Sequence, residues 1–306
     1  MEELRIVFMG TPEFAVPSLK ILVDNGFNVV GVVTAPDKPK GRGQKLAESP
    51  VKVFAKEHEI QVLQPVNLKS GDFLSQLSIL KANIQVVVAF RMLPEIIWSL
   101  PEFGTFNLHA SLLPQYRGAA PINWAIINGE SKTGVTTFFL KHEIDTGKII
   151  LQEEELITTT DTVGSLYERL MKRGANVVLK TIEKIAGGNV ESKEQNKREV
   201  IKHAPKIYKE TCEIVWNKSS VEIYNHIRGL SPYPGAWTKF DGKLFKIFST
   251  KISSLIEELQ PGQLKHSEDK IYVKTGDSML ELTEIQQEGK KRMLVKDFLK
   301  GNKISQ

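Results

Sequence analysis

The chain has 306 residues, of which 41% are hydrophobic and 25% are charged, a composition typical of folded proteins rather than disordered or fibrous ones. This length predicts about two domains, and 14 Pro and 22 Gly are too few for a collagen-like or linker-dominated chain. The single cysteine, Cys212, excludes an intramolecular disulfide and a multi-cysteine metal site.

The first residues and the apolar runs bear on where the protein acts. Two acidic residues precede the first apolar run, whereas an export signal has basic residues and a longer apolar segment. Every other apolar run is interrupted well before the roughly 18 residues of a membrane-spanning helix. We therefore expect a cytoplasmic protein that has no membrane partner.

The excess positive charge is confined to one end of the chain. Residues 1–188 contain 20 Lys and Arg against 20 Asp and Glu, whereas residues 189–306 contain 21 against 16. Such a basic module favours a polyanionic partner, because Lys and Arg that neutralise phosphates release condensed counterions. Charge alone leaves open the alternative of a well-solvated basic surface.

Strands and helices alternate in the first half of the chain. Apolar β-branched runs predict strands, and helix-spaced apolar residues predict helices. In order, these are a strand at 4–9, a helix at 14–23, a strand at 29–34, a helix at 50–58, and strands at 84–90 and 104–108. Continuous apolar strands are typical of a parallel sheet covered by helices, so we predict an open α/β sheet. Ligands bind such sheets beyond the carboxyl ends of the strands.

A change of pattern near residue 188 predicts the end of this domain. We expect a long helix from Asp161, a good N-cap, to Ala186, where two glycines stop it. The predicted divisions are a first domain at 1–188, a linker at 189–206 and a second domain at 207–306.

The second domain is predicted to be rich in short strands. Ser219 and Glu222 form a plausible capping box that opens a helix ending at Gly229. The strands that follow lie at 237–240, 243–249, 270–274 and 279–284, separated by turns that contain glycine. This pattern is typical of a small β barrel or sandwich.

The turn after the first strand, at residues 10–14, argues against a dinucleotide cofactor. It lacks the GxGxxG pattern, and Pro12 stands where a dinucleotide requires close approach of the backbone. A nicotinamide-dependent oxidoreductase is therefore disfavoured. The turn is either a tight connection only or also part of a substrate pocket.

The most informative polar pair lies at the end of the strand at 104–108. Asn107 and His109 are two residues apart, so their side chains are expected on the same side of the strand. An amide and an imidazolium both donate hydrogen bonds, and together they suit the oxyanion of an acyl transfer. A structural polar pair is the alternative, but the position at the carboxyl edge of the sheet favours function.

Asp145 lies in a predicted turn before a further strand. If this turn faces the same pocket, its carboxylate would stabilise the protonated form of His109 and could relay a proton. An ordinary turn aspartate is the alternative. No His, Asp and Glu cluster has the spacing of a metal site, so we expect no metal.

Four cations lie in a loop rich in Pro and Gly after the second strand: Lys38, Lys40, Arg42 and Lys45. Because the loop follows a strand at the expected functional edge, it suits contact with phosphates or with the end of a nucleic acid. A solvated loop without a partner is the alternative.

These segments together resemble the methionyl-tRNA formyltransferases. The likeness runs in order through nearly the whole chain, at residues 10–14, 38–43, 49–52, 64–65, 107–121, 145–147 and 227–237. The segments around Asn107, His109 and Asp145 are shared with folate-dependent formyltransferases more widely. The basic loop and the second domain look like the enzymes that act on tRNA.

The resemblance implies a Rossmann-like formyltransferase domain, a small β-rich, OB-like C-terminal domain that binds tRNA, and 10-formyltetrahydrofolate as formyl donor. The implied catalytic residues are Asn107, His109 and Asp145. The implied folate-site residues are Ser111, Leu112, Leu113, Pro114, Phe90 and Ile144. The residues implied to contact initiator methionyl-tRNA are Phe14, Lys38, Lys40, Arg42 and Lys45. We expect a monomer.

One segment departs from the family pattern: Phe90 and Arg91 stand where the family commonly has Tyr and Gly. Two rivals remain besides the oxidoreductase. A small-molecule formyltransferase would share the three catalytic residues but leave the basic second domain unexplained. A non-catalytic RNA-binding module would leave the convergence of Asn107, His109 and Asp145 unexplained.

Overall fold

The structure of the chain is a computed structural model that describes residues 3–40, 45–196, 200–302 and 304. The residues fall into two compact units. Unit 1 comprises residues 1–118, 134–155 and 167–203, and unit 2 comprises residues 119–133, 156–166 and 204–306. Both units are discontinuous in sequence, so the domain boundary at residue 188 stays a prediction.

Eleven of the described strands precede residue 205. They are β1 (Arg5–Gly10), β2 (Asn28–Val33), β3 (Lys38–Lys40), β4 (Lys45–Ala47), β5 (Val62–Leu63), β6 (Ile84–Val88), β7 (Thr105–His109), β8 (Arg117–Gly118), β9 (Lys132–Phe139), β10 (Ile149–Leu156) and β11 (His203–Ala204). Seven of them form one sheet in the order β10-β9-β7-β6-β1-β2-β5.

The middle of this sheet is parallel. β1 pairs in parallel with β2 and β6, β6 with β7, and β2 with β5, whereas β7 and β9 are antiparallel. The order therefore reverses between β1 and β6, which is where ligands bind in open α/β sheets. The predicted open α/β sheet is confirmed, and β6 is buried along its whole length, as expected for a strand covered on both faces.

The described helices are α1 (Val16–Asp24), α2 (Pro50–Glu57), α3 (Gly71–Ile79), α4 (Glu95–Trp98), α5 (Pro121–Ile127), α6 (Val163–Ala186), α7 (Ser220–Leu230) and α8 (Val295–Leu299), with 3-10 turns at Glu13–Ala15 and Glu210–Cys212. Leu108 of β7 meets α6 so closely that a Cβ on Gly174 would lie 2.7 Å from it. Thr137 of β9 also bonds Thr181 of α6 at 2.8 Å. Leu108 thus faces α6, and its neighbours Asn107 and His109 point to the other face.

Unit 2 contains an antiparallel sheet in the order β12-β13-β16-β15-β14, with β17 beside β16. Its strands are β12 (Ala236–Phe240), β13 (Lys243–Ser253), β14 (Leu264–His266), β15 (Ile271–Lys274), β16 (Met279–Gln287) and β17 (Met293–Leu294). Register shifts interrupt the pairing of the long strands β13 and β16, and such irregularities let a strand bend. The predicted small β-rich domain is confirmed.

Helix α7 packs against α5 within unit 2. A Cβ on Gly229 would lie 2.6 Å from Ile127, and Asn123 donates a hydrogen bond to the Gly229 carbonyl at 2.8 Å. The predicted capping box is present, because Ser219 and Glu222 each bond the other's backbone N–H. Glycine at residue 229 is therefore required by the close approach of two helices rather than by a turn.

One local prediction needs correction, and one long strand was not predicted. Helix α6 begins at Val163 rather than after Asp161. Its N-cap pair is Thr162 and Ser165, whose side chains bond each other's backbone N–H groups, and Asp161 instead accepts from the Thr158 N–H at 2.7 Å. Asp and Thr both suit an N-cap, so the sequence alone did not distinguish Asp161 from Thr162.

Strand β9 was not predicted because Gly134 and several threonines interrupt its apolar pattern. The structure gives the reason for this glycine. A Cβ there would lie 2.2 Å from the Glu153 carbonyl oxygen of the neighbouring strand β10. Among the described helices, none has the length and apolar character needed to cross a membrane.

Candidate active site

The residues predicted to carry function follow the carboxyl ends of four parallel strands. Phe14 comes after β1, Lys38 after β2, Phe90 after β6, and the segment from residue 110 after β7. Because parallel strands end at the same edge of a sheet, these segments share one edge of unit 1. The predicted location of the chemistry therefore agrees with the topology.

His109 is the last residue of β7 and only 7% exposed. Its Nε2 lies 2.9 Å from the Tyr116 carbonyl oxygen. A carbonyl only accepts, so this contact places a proton on Nε2 and leaves Nδ1 as the ring nitrogen available for chemistry. Tyr116 itself has a positive φ of 60°, and the tight turn at this residue brings the chain back toward the imidazole.

Asp145 is the residue that His109 Nδ1 faces. Its Oδ2 lies 3.9 Å from Nδ1, too far for a hydrogen bond but within ion-pair range of a protonated ring. The same oxygen accepts a hydrogen bond from the Gly118 N–H at 2.9 Å. The structure thus brings together His109 and Asp145, as the sequence predicted, and adds a backbone donor that orients the carboxylate.

Asn107 lies two residues before His109 on β7 and is partly exposed. Its backbone lies between Val87 of β6 and Phe138 of β9 in the register of the sheet. Within the described residues its carboxamide has no hydrogen-bond partner, so its N–H groups are available to a ligand. It shares the face of β7 with His109, as the two-residue spacing predicts.

The turn that carries Asp145 depends on a close backbone contact. Asp145 adopts a left-handed φ of 54°, which Asp tolerates better than most residues. Two residues later, a Cβ on Gly147 would lie 1.6 Å from the Phe139 carbonyl oxygen at the end of β9. No other residue fits at position 147 while the turn keeps this position.

The predicted folate segment after β7 is held from several directions. The Ser111 hydroxyl donates to the Gln115 carbonyl at 2.7 Å, and the Thr136 hydroxyl donates to the Ser111 carbonyl at 2.6 Å. Gln152 donates to the Leu113 carbonyl at 2.8 Å. Ser111 and Leu113 are buried, whereas Leu112 and Pro114 are partly exposed. The segment is therefore a fixed wall beside β7 rather than a mobile loop.

Phe90 and Ile144 differ in exposure. Phe90 is partly buried after β6, and the Arg91 guanidinium lies 5.7 Å from its ring centroid. Arg91 also donates to the Val66 carbonyl at 2.9 Å, so the residue that departs from the family pattern braces a neighbouring loop. Ile144 is 58% exposed beside Asp145. Their contact with folate stays a prediction.

Phe14 is a packed residue, 6% exposed, rather than an open binding surface. Its ring meets Tyr167 edge-on at 5.1 Å between centroids, a favourable aromatic geometry. Burial raises the pKa of Tyr167. Any contact of Phe14 with a methionyl side chain stays a prediction.

The basic loop is a hairpin in its described part. β3 and β4 pair with Lys38 opposite Ala47 and Lys40 opposite Lys45, whereas the sequence pattern predicts only a loop. Lys38 is exposed, Lys40 and Lys45 are placed by their backbone, and Arg42 lies outside the described residues. The sequence prediction that these four cations bind a phosphate-rich partner stays a prediction.

A partly exposed cluster of charged and polar side chains anchors the base of this hairpin. Lys52 contacts Asp37 at 2.5 Å and Glu48 at 3.0 Å, and Gln64 donates to Asp37 Oδ1 at 2.8 Å. The hydrogen bond from Lys52, followed by that from Gln64, holds the pKa of Asp37 below its ordinary value. The motif segments at 49–52 and 64–65 therefore have a structural role, which is to fix where the hairpin leaves the sheet.

Sequence patterns missed three groups that the structure places at the site: the Tyr116 carbonyl, the Gly118 N–H and the Gln195 side chain. The Gln195 Nε2 donates to the carbonyls of Asp145 and Gly147, both at 2.9 Å. Gln195 lies in the segment predicted as a linker, where no periodicity marked it. Among the described residues, no group of three His, Cys, Asp or Glu side chains is placed to hold a metal ion.

Curated relatives match almost the whole chain. A methionyl-tRNA formyltransferase from Azobacteroides pseudotrichonymphae genomovar. CFP2 is 54% identical over 97% of this chain and 96% of its own length. One from Flavobacterium johnsoniae is 50% identical over 98% of this chain and 97% of its own length. The similarity therefore includes both units and the segments that follow β7.

Solved structures and family models agree with these relatives. A crystal structure of a sugar 3N-formyl transferase superposes with a TM-score of 0.69 at 22% identity, covering 95% of this chain and 100% of that chain. At this identity the likeness concerns the fold. The model of the formyl transferase family matches residues 4–182, and that of its C-terminal domain matches residues 206–303. The chain belongs to the formyl transferase family.

Proposed function

We propose that this protein transfers the formyl group of 10-formyltetrahydrofolate to the free amino group of methionyl initiator tRNA. The relatives that match nearly its full length carry the name methionyl-tRNA formyltransferase. The observation that supports the chemistry is the convergence of His109 Nδ1 and Asp145 Oδ2, 3.9 Å apart, beside Asn107 at the carboxyl edge of the sheet. The excess cations of residues 189–306 suit a tRNA partner.

The acceptor attacks directly in this proposal. An α-amine has a reference pKa of about 8, so about a tenth of it is neutral at pH 7, and esterification of the amino acid to tRNA lowers the pKa and raises this fraction. The neutral nitrogen adds to the formyl carbon, and the C–N bond forms as the carbonyl π electrons move to oxygen. Collapse of this tetrahedral intermediate breaks the bond to the folate nitrogen, which takes up a proton in place of the one lost by the attacking nitrogen and leaves as tetrahydrofolate. No covalent bond to the enzyme is required.

Three side chains assist this reaction in different ways. The Asn107 carboxamide donates a hydrogen bond to the developing oxyanion, and protonated His109 donates from Nδ1, the nitrogen that Tyr116 leaves available. Asp145 stabilises the imidazolium and helps take the proton that the attacking nitrogen loses. Its carboxylate is directed to this task by the Gly118 N–H.

Substrate contacts in the proposal follow the same edge of the sheet. Folate lies along the segment from Ser111 to Pro114 and near Phe90 and Ile144. The basic loop of the sequence, which includes Lys38 and Arg42, reaches the acceptor end of the tRNA. Leu112 and Leu113 also belong to the folate site, and Lys40 and Lys45 also belong to the tRNA site. Phe14 lies near the methionyl group. The protein would distinguish initiator from elongator tRNA by how easily the first base pair of the acceptor stem opens. The protein acts as a monomer in the cytoplasm.

The first experiment is a formyl-transfer assay with 10-formyltetrahydrofolate and four acceptors: methionyl initiator tRNA, methionyl elongator tRNA, free methionine and a nucleotide-linked amino sugar. We expect transfer to methionyl initiator tRNA, little to elongator tRNA and none to the small acceptors. Transfer to the amino sugar but to neither tRNA would overturn the proposed acceptor while retaining the formyl chemistry. No transfer to any of the four would overturn the assignment of this substrate set.

A substitution in the basic hairpin tests tRNA recognition separately. We expect Arg42→Ala to lower kcat/KM for methionyl initiator tRNA about 10-fold or more, because a hydrogen bond to a charged group contributes about 1.5–3 kcal/mol. The KM for the formyl donor should stay unchanged. Lys20→Ala is the control, since it removes one cation from α1, where its exposed ion pair with Asp24 contributes little. Equal kinetics for the two variants would exclude Arg42 from recognition.

A further inference from the structure

Gln195 connects the two segments that hold the candidate catalytic pair. It is 5% exposed, and its carboxamide uses its full hydrogen-bonding capacity. Nε2 donates to the carbonyl oxygens of Asp145 and Gly147, each at 2.9 Å. Oε1 accepts from Arg117 Nε at 3.1 Å and from Arg117 Nη2 at 2.5 Å. One buried amide therefore joins the turn of Asp145 to the segment that follows β7.

Together with the contacts of His109, these hydrogen bonds form a closed ring of contacts that begins and ends at the imidazole. His109 Nε2 bonds the Tyr116 carbonyl, and the next residue, Arg117, bonds Gln195. Gln195 then bonds the backbone of Asp145, whose carboxylate faces His109 Nδ1 at 3.9 Å. Any change in the length of the Gln195 bridge must change the separation of His109 and Asp145, because both ends of the bridge are attached to their supports.

Gln195 is itself held against the sheet. Two residues earlier, Lys193 exchanges backbone hydrogen bonds with Ile149, the first residue of β10, each at 2.8 Å. This antiparallel bridge places the start of the predicted linker beside the turn of residues 145–147. The side chain therefore acts from a fixed backbone, and its low exposure keeps water from competing for its hydrogen bonds.

The hydrogen bonds from Gln195 stabilise a turn whose backbone conformation is uncommon. Asp145 has a left-handed φ of 54°, which costs energy for a residue with a Cβ. Without an amide donor, two carbonyl oxygens in the turn would lose their partner. Of the contacts described here, only the hydrogen bond from the Gly118 N–H would then hold the carboxylate near His109.

We propose that Gln195 is a positioning residue for the formyl-transfer reaction, setting the distance between Asp145 and His109 through its double hydrogen bond to the turn. This inference rests on the proposed function, because it assumes that the pair assists transfer to methionyl-tRNA. Gln195 touches neither substrate in this proposal. Its substitution should therefore change kcat and leave the KM for both substrates almost unchanged.

Three variants of the full-length protein separate the parts of the bridge. Gln195→Ala removes the donor and the acceptor. Gln195→Glu has nearly the same shape and keeps the contact with Arg117, but it has no N–H for the carbonyls of Asp145 and Gly147. Glu194→Ala is the matched control, since that neighbouring side chain is exposed and lies 3.8 Å from Lys148 in a weak surface pair.

We expect Gln195→Ala and Gln195→Glu each to lower kcat about 10- to 100-fold, the loss associated with a displacement near 1 Å of a catalytic group. The KM for 10-formyltetrahydrofolate and for methionyl initiator tRNA should change less than about three-fold, since no substrate contact is removed. Glu194→Ala should retain wild-type kcat. A kcat within two-fold of wild type for Gln195→Glu would overturn the inference, because that variant keeps the contact with Arg117 but replaces the two donors with a carboxylate oxygen that faces the same two carbonyl oxygens.

A double-mutant cycle with Asp145→Asn supplies a readout that a purely structural residue would not affect. If Gln195 acts through Asp145, adding Gln195→Ala to Asp145→Asn should lower kcat by no more than about two-fold further. Losses that multiply in full would show that Gln195 acts elsewhere and would overturn the inference. Wild-type kcat for Asp145→Asn alone would instead overturn the proposed role of Asp145, and with it the premise of the bridge.

Discussion

Replacing His109 or Asn107 with alanine is expected to lower kcat for formyl transfer about 100-fold or more. Each change removes one donor from the position of the developing oxyanion, and the loss of a single oxyanion donor typically costs about 100- to 1,000-fold. His109→Ala also removes the partner of Asp145, whose carboxylate lies 3.9 Å from Nδ1. We therefore expect the histidine variant to be the more impaired of the two.

Controls for folding and for donor binding distinguish a loss of catalysis from a loss of structure. Asn107 is only partly buried, so Asn107→Ala should retain its thermal transition and its affinity for the formyl donor while losing turnover. The double variant should be little worse than His109→Ala, because donors that act on one oxyanion are not additive. Near-wild-type turnover in a folded single variant would contradict its role in the mechanism.

Gly147→Ala is expected to produce the second large effect, on both stability and activity. The added Cβ would lie 1.6 Å from the Phe139 carbonyl oxygen and 2.8 Å from its carbonyl carbon, so the turn must move. Overpacking of this kind costs up to about 3 kcal/mol and occasionally more. Since Asp145 is in the same turn, we expect kcat to fall about 100-fold. Circular dichroism melting and single-turnover kinetics measure the two effects.

Gly71→Ala is the control for this substitution. Gly71 lies at the start of α3, and an added Cβ there meets nothing within 4 Å. We expect wild-type stability or a slight gain, because alanine favours the helix more than glycine does. If Gly147→Ala melts and turns over like Gly71→Ala, the close approach of the turn to β9 does not exist in solution.

The contrast between Gly147 and Gly242 shows that glycines in this chain serve different physical purposes. Gly242 has a positive φ of 71° with open space around its Cα, so its backbone conformation explains it. Gly147 has a φ that other residues adopt, so the lack of space for a Cβ, and not the backbone conformation, explains why this residue is glycine. A sequence shows both simply as glycine in a turn.

The sequence by itself determined the local structure and the kind of chemistry. Runs of apolar residues rich in Val and Ile predict β1, β2 and β6, because a strand buried on both faces needs mostly apolar side chains. Asn107 and His109 are predicted to share a face because the side-chain period of a strand is two residues. Elements such as β9 were missed because Gly134 breaks the apolar pattern, although a crowded neighbour requires that glycine.

Only the tertiary structure decided which distant groups complete the site. The Tyr116 carbonyl selects the protonated nitrogen of His109, the Gly118 N–H orients Asp145, and Gln195 joins their supports. None of these contacts has a sequence signature, because backbone groups are the same in every residue and a glutamine in a polar stretch has no periodicity. Folding brings together residues 50 positions apart in the chain, as with Gln195 and Asp145, and hydrogen-bond distances exist only after it has done so.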